Sequence, residues 1–465
     1  MRSILLALAL AFAADVRAVP NIVLIVSDDQ GWPDLGCIGS KPLITPNLDR
    51  LAAEGVRATS FYVTWPACTP SRGSILTGRY PQRNGLYDMV RNDMVNYGHH
   101  FSAEDYAVSP EMTLGLDMRE KTIGDMLRPA GYANGVVGKW DMGQARRYLP
   151  LQRGFDFFYG HGNNGIDYYT HERYGVPSLF RGNARTEEDK GTYVTEVFER
   201  ESLRFIGEHA GKKPFFLYLP FNAPHGASSF GEGTTAGEKK VAEGVQAPEK
   251  YVAMYRGKVK DEKLARYCGA LTRMDEAIGA LLKLLDEKKI ADNTLVMFLS
   301  DNGGSGNGGN APLKGSKSSM WEGGLRVPFV ARWPGKLPAG EVTDDFLTSL
   351  ELVPTILAAS GVSAPDGVKL DGFDMLPVLR GEMKSPRREM YWQRRGDKAA
   401  RFENWKWSEA AKGKGGGLYD LSSDLGETKD LSKSKPEVLK LMQERFAAWR
   451  QEMDAAEPRG PFRDY

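Results

Sequence analysis

Two short apolar runs limit what this chain can fold into. Asn21–Ser27 (NIVLIVS) and Thr294–Ser300 (TLVMFLS) are nearly continuous stretches of β-branched and aliphatic residues. Each stops abruptly, the first in Asp28-Asp29 and the second in Asp301-Asn302. A strand that is apolar on both faces must be covered on both, which is the condition of a parallel sheet flanked by helices. Residues 215–219 (FFLYL) form a third run that leads into Pro220 and Asn222-Ala223-Pro224-His225. Residues 133–137 are a weaker fourth, leading into Gly138-Lys139-Trp140-Asp141. Helical patterns lie between them at 47–54, 122–128, 195–208 and 262–285. The alternation predicts a doubly wound α/β fold. Ligands of such sheets sit beyond the carboxyl ends of the strands, where all four polar clusters fall.

With 465 residues, 41% of them hydrophobic and 26% charged, the chain has the size and texture of one large domain with a smaller companion. After a helical pattern at 353–360 come short aromatic-rich segments at 389–393, 401–407 and 417–421, which predict a small antiparallel sheet. A helical pattern at 436–453 follows. The boundary is placed near Ser385, giving a catalytic domain of residues 19–384 and a C-terminal subdomain of residues 385–465. At the start, Arg2 precedes an apolar run and small residues that end in Val16-Arg17-Ala18, so residues 1–18 read as a secretory signal peptide cleaved near Ala18. No run approaches the roughly 20 apolar residues of a membrane span, and the expectation is a secreted or periplasmic protein. Loss of Arg2, Arg17 and Asp15 takes the formal net charge from +1 to 0, so no global basic field draws in an anionic ligand. Nor does any basic cluster point to nucleic acid. The three cysteines, Cys37, Cys68 and Cys268, exclude a disulfide scaffold; Cys37 and Cys268 could pair or remain separate thiols.

The segment from Cys68 to Arg79 (CTPSRGSILTGR) places a cysteine just before a helix that Pro70 can start and Gly78 can stop. A helix N-terminus stabilises anions and would lower a thiol's pKa, which admits several kinds of cysteine nucleophile and equally a buried structural thiol. Asp28, Asp29, Asp301 and Asn302 offer hard oxygen donors suited to calcium or magnesium and unsuited to zinc. Asp and Asn that cap local turns would look the same in either pair alone.

The string at Cys68 resembles the type I sulfatase signature, in which cysteine, any residue, Pro, Ser and Arg are followed at fixed distance by Leu-Thr-Gly. Further motifs of that family recur in order: Asp28-Asp29, Thr45-Pro46-Asn47-Leu48-Asp49, Gly138-Lys139-Trp140, Ala223-Pro224-His225, Ser300-Asp301-Asn302-Gly303 and Glu322-Gly323-Gly324-Leu325-Arg326-Val327-Pro328. The resemblance implies an alkaline-phosphatase-like fold, a maturation enzyme that converts Cys68 to formylglycine, and calcium rather than magnesium on Asp28, Asp29, Asp301 and Asn302. It also implies sulfate ester hydrolysis through a covalent sulfo-enzyme intermediate. One hydroxyl of the hydrated aldehyde would attack sulfur, with Asp29 a candidate to deprotonate it. Arg72, Lys139 and Lys317 would hold the aldehyde hydrate or sulfate oxygens, and His225, alone or with Lys317, would protonate the departing alcohol. Lys314, offset from the motif, reads as structural.

One position departs from the pattern: the family's His after Gly-Lys-Trp is Asp141 here. An ionised Asp can accept the proton that sulfate release requires, but it cannot donate a hydrogen bond to sulfate. Either Asp141 is that base or another group takes the role. Tyr168, Tyr169, Arg173 and Tyr174 are candidates to line a sugar cleft, and His161 or His171 to stand at its rim. The expected substrate is a sulfated small molecule or oligosaccharide. A phosphodiesterase or phosphonate monoester hydrolase with the same nucleophile, or a silent carbohydrate-binding protein with unmodified Cys68, are the alternatives.

Overall fold

The computed structural model describes residues 19–90, 115–230, 241–242, 244–306, 308–411, 415–457 and 459. The residues of the signal peptide reading lie outside this set. A ten-stranded sheet organises the fold. Its strands are β1 (Asn21–Ser27), β2 (Val56–Ala58), β3 (Ala133–Lys139), β4 (Phe157–His161), β5 (Leu179–Arg181), β6 (Ala184–Arg185), β7 (Phe215–Pro220), β8 (Thr294–Ser300), β9 (Phe329–Arg332) and β10 (Glu341–Thr343). They lie in the order β10-β2-β9-β8-β1-β7-β3-β4-β5-β6. The central five, β8-β1-β7-β3-β4, are mutually parallel, so their carboxyl ends share one edge.

Both faces of β1 are covered, as its composition requires. Val23 and Ile25 pack with helices α1 (Pro46–Ala53), α3 (Val194–His209) and α4 (Glu262–Glu287). Ile22, Leu24 and Val26 pack on the other face with α2 (Cys68–Thr77) and α5 (Leu352–Ser360). One strand boundary differs from expectation: the fourth run continues through Lys139, so that lysine is itself the last residue of β3. Gly138 makes this possible, because a Cβ there would lie 1.9 Å from the carbonyl oxygen of Pro220 on the adjacent strand.

The C-terminal sheet is antiparallel and has four strands, β11 (Glu389–Arg394), β12 (Asp397–Phe402), β13 (Trp405–Glu409) and β14 (Gly416–Asp420), backed by α6 (Pro436–Ala455). The single segment expected at 401–407 is instead a hairpin. Glu403 and Asn404 turn between Phe402 and Trp405, with Glu403 at φ 53°. Glutamate is not a usual left-handed turn residue, which hides the turn in the sequence. Cys37 and Cys268 are both free.

The small sheet is joined to the large one by buried charge. Lys406 Nζ lies 2.9 Å from Glu322 Oε1 and 3.5 Å from Glu427 Oε1, and all three side chains are 0% exposed. Burial, only partly offset by Lys406, pushes the Glu427 carboxyl up to about 7. Taking the ammonium out of such a network strands its carboxylates, at a cost of about 3–5 kcal/mol. Lys406→Met is therefore expected to lower unfolding stability by about that amount in a denaturant titration; a loss below about 1 kcal/mol would show the network to be dispensable.

Candidate active site

β1 and β8 run in register to their last residues, Ser27 opposite Ser300. This places Asp28-Asp29 beside Asp301-Asn302. Asp29 N donates to Asp301 Oδ1 at 3.2 Å, and Asn302 Nδ2 donates to Asp29 Oδ1 at 2.8 Å. Asp29 adopts a left-handed conformation, φ 66°, that turns the chain sharply out of the strand. All four side chains are buried.

The nucleophile position enters from α2. The helix begins at Cys68 itself, with Ala67 as its extended cap, and not at Pro70; Gly78, at φ 66°, ends it. Pro70 sits in the first turn, where a missing N–H costs nothing. Cys68 Sγ lies 3.4 Å from Asp28 Oδ1 and 3.3 Å from Lys317 Nζ. The thiol expected to be acidified by the helix end is not. Burial and the neighbouring Asp28 push its pKa well up, against Lys139 and Lys317. An unmodified Cys68 is thus a poor thiolate, and the atom at Sγ marks where a formylglycine oxygen would stand.

Cations interleave with the carboxylates. Arg72, one turn along α2 from Cys68, places Nε 2.9 Å and Nη2 2.7 Å from Asp301 Oδ2, and Nη1 donates to Lys139 O. Lys139 Nζ lies 2.6 Å from Asp28 Oδ2. Lys317 Nζ approaches Asp29 to 2.7 Å. Burial raises the Asp29 carboxyl, but Lys317, His225 and Lys139 outweigh it and hold the pKa well below the usual range.

Asp141 does not turn away. Its φ of 54° bends the chain back after Trp140, leaving the carboxylate 1% exposed and 3.9 Å from Lys139 Nζ. Oδ2 has no hydrogen-bond partner, and burial lifts the pKa to about 6 against the pull of Lys139 and Arg72. His225 directs Nδ1 to Gly226 O at 2.7 Å, so in the neutral ring Nε2 carries the lone pair, 3.8 Å from Asp29 Oδ2. Burial and Lys317 lower its pKa to about 3.

Asp29, Cys68, His225 and Lys317 line a cavity of about 440 Å³, whereas Arg72, Lys139 and Asp141 are buried and do not line it. Of the aromatic candidates, only Tyr174, with Arg173, reaches this cavity. Tyr168 is fully buried and donates its hydroxyl proton toward Asn222 O and His225 O, bracing the histidine loop. Tyr169 packs against the core near Tyr193. His161 and His171 are buried, held to Asn163 O and Thr192 O, and stand at no rim. Lys314 binds Glu427 O and covers the Trp321 ring at 3.7 Å. Asn164, Ser228, Ser305 and Met89 also line the cavity and were not singled out from sequence. Asn164 had a signal, since it follows the carboxyl end of β4 on the ligand edge.

The donor set fits a hard divalent cation. It comprises three buried carboxylates and the Asn302 amide oxygen, which is buried without a partner because its Nδ2 is engaged by Asp29 and Gly303 O. Asp28, Asp29, Cys68 and His225 also bring potential ligand atoms within 4.8 Å of one another.

A doubly wound sheet, a helix-borne nucleophile position and hard oxygen ligands at two adjacent strand ends define a metal-assisted ester hydrolase of the alkaline-phosphatase-like class. Residues 20–362 match the family model described as Sulfatase, and residues 316–452 match the C-terminal region of N-sulphoglucosamine sulphohydrolase. The chain belongs to the sulfatase family and is a sulfuric ester hydrolase. It is 33% identical to the N-acetylgalactosamine-6-sulfatase of Canis lupus familiaris, over 86% of this chain and 75% of that one. It is 31% identical to arylsulfatase A of Homo sapiens, over 99% and 93%. The crystal structure of Ps i-CgsB superposes with a TM-score of 0.79 at 32% identity, covering 92% of each chain. The same protein has been crystallised with k-i-k-neocarrahexaose. Formylglycine and a divalent metal come with the family. No helix among the described residues is long and apolar enough to cross a membrane.

Proposed function

We propose that this sulfatase removes sulfate from a galactose-type sugar within an oligosaccharide, using calcium on Asp28, Asp29, Asp301 and Asn302. The observation that carries the reading is the cavity over Cys68, whose floor is Asp29, Lys317 and His225 and whose wall is polar with one guanidinium. N-acetylgalactosamine-6-sulfatase and the neocarrahexaose complex both point to sugars built on galactose. Calcium suits the oxygen-only donors better than magnesium, which holds more of its own water.

When present, the metal supplies positive charge against the sulfuryl oxygens and the hydrated formylglycine supplies the attacking hydroxyl. The chain's own residues do the rest. Arg72 and Lys139 fix the carboxylates around position 68, and Lys317 reaches across the nucleophile to the sulfate. Both Asp29 oxygens are engaged, by Lys317 and Asn302, which suits a ligand and not a base.

The leaving oxygen takes its proton from Lys317, which is charged at rest: burial works against its charge, but Asp29 and its neighbours raise its pKa well above the ordinary value. His225, neutral at rest, offers Nε2 as a hydrogen-bond acceptor beside the departing hydroxyl. Asp141, buried and with Oδ2 unpartnered, accepts the proton that must leave for sulfate to be expelled. Position 68 is 0% exposed, so a maturation enzyme reaches it before the chain folds.

Three measurements test this reading. On chelated enzyme, calcium should restore more activity than magnesium; equal recovery would overturn the assignment. Lys317→Ala should lose roughly tenfold or more beyond its loss on 4-nitrophenyl sulfate when the substrate is a galactose sulfate, because a phenolate leaves without a proton. Equal losses place the acid elsewhere, and no sulfate release from any sulfated galactose oligosaccharide by the wild type removes the substrate class. In Asp141→Asn, the product alcohol should appear in a stoichiometric burst while free sulfate lags roughly tenfold or more behind wild type. Sulfate release at the wild-type rate after the burst would take Asp141 out of the role.

A further inference from the structure

Between Asn302 and Lys317 the chain begins with residues 303–309 (GGSGNGG), a composition with almost no conformational preference of its own. Lys317 nevertheless brings its ammonium to 2.7 Å from Asp29 and 3.3 Å from Cys68 Sγ. Another part of the fold must therefore set the path of the chain.

Asp34 does so from one side. It follows β1, is 5% exposed and takes no part in the chemistry at position 68. Its Oδ2 accepts from the Tyr267 hydroxyl at 2.6 Å and from Gly309 N at 3.0 Å. Tyr267 projects from α4, is 1% exposed, and its oxygen accepts in turn from Gly31 N at 3.4 Å. These partners are neutral, and burial pushes the Asp34 carboxyl up to about 6 against the pull of Tyr267, Gly309 and Gly31. A carboxylate so placed destabilises the fold relative to an apolar residue, so packing alone does not account for it. The contacts are also tight. A Cβ on Gly31, two residues after Asp29, would lie 1.7 Å from Gly309 O, and one on Gly308 would lie 2.5 Å from the Tyr267 oxygen.

From Gly309 the connection runs on to Lys317. The next residue, Asn310, clamps Gly304 with its side chain: Nδ2 donates to Gly304 O and Oδ1 accepts from Gly304 N, each at 3.0 Å. The same Gly304 O accepts from Lys317 N at 3.0 Å, which engages both of its lone pairs. A continuous line thus leads from α4 through Asp34, Gly309, Asn310 and Gly304 to the backbone of Lys317. Neither Asp34 nor Asn310 lines the cavity. Misplacing a reacting group by about 1 Å can cost roughly a hundredfold in rate, so a hold on that backbone bears directly on catalysis.

We propose that Asp34 and Asn310 are positioning residues for Lys317: they fix Gly304 and, through it, keep the ammonium in line with the departing oxygen. This rests on the reading of Lys317 as the acid.

The test compares kcat on 4-nitrophenyl sulfate with kcat on phenyl sulfate, whose phenolate is more basic and needs the proton more. Asn310→Ala and Asp34→Ala should each widen that ratio roughly threefold to tenfold, with KM changed less than kcat. If Asp34→Ala does not fold, Tyr267→Phe keeps the ring, removes the hydroxyl that aims Asp34, and should widen the ratio in the same direction. In a Lys317→Ala background, where the ratio is already wide, none of these changes should widen it further. Losses equal on both substrates, as a merely weakened fold would give, or a further widening without Lys317, overturn the positioning role alone. If Lys317→Ala itself loses equally on both substrates, the acid and its positioning residues fall together.

Discussion

The register of β1 on β8 is the constraint on which the rest depends. Because Ser27 and Ser300 are paired, two acidic sequences more than 270 residues apart end side by side, and Asp28, Asp29 and Asp301 are buried together. Three carboxylates at such spacing repel one another strongly in a medium of low effective dielectric. The fold answers with Arg72, Lys139 and Lys317, each reaching a different carboxylate from a different element. With Asp141 the formal balance of these groups is one negative charge. A divalent cation reverses it to one positive, which a bound sulfate ester monoanion then neutralises. The site is therefore balanced for metal and substrate together, although the chain as a whole carries almost no net charge.

The same logic explains why the small sheet belongs to the catalytic apparatus. Lys317 sits on a loop with few regular backbone hydrogen bonds of its own. That loop is fixed through Lys317 N to Gly304 O, Ser318 N to Pro66 O and Gly323 N to Lys314 O. From the C-terminal side, Glu427 accepts from Glu322 N and Lys314 Nζ, Lys406 pairs with Glu322, and Arg394 binds Ser318 O. A residue that must reach Asp29 and the nucleophile from outside the main sheet needs such bracing, and the second sheet provides it.

Much of this was legible in the sequence because the central strands are buried on both faces. Continuous apolar runs with abrupt polar ends gave the bounds of Asn21–Ser27 and Thr294–Ser300 to the residue. Less was legible where tertiary context overrides local chemistry. The helix end at Cys68 argues for an acidic thiol, but burial beside Asp28 wins by distance and desolvation. Tyr168 reads as a cleft aromatic and is instead a buried brace, since its hydroxyl is the only feature that distinguishes it from a phenylalanine and it serves two backbone carbonyls. The turn at Glu403 and the one at Tyr174 are both hidden by residues that seldom adopt positive φ.

Those two turns are hidden for different reasons. Glu403 lies in a hairpin of the supporting sheet, where neighbouring strands enforce the turn. Tyr174 lies in a two-pair hairpin, where its N–H donates to Ser228 O and the neighbouring Arg173 donates to Gly165 O. The groups around position 68 come from strand ends, from α2 and from the Lys317 loop, and they share ion pairs, so a change in one disturbs several at once. The Arg173–Tyr174 wall of the cavity hangs from loops that meet that centre where Gly165 packs on His225. A fold arranged in this way can alter the wall of the cavity while the carboxylate and cation lattice around Cys68 stays as it is.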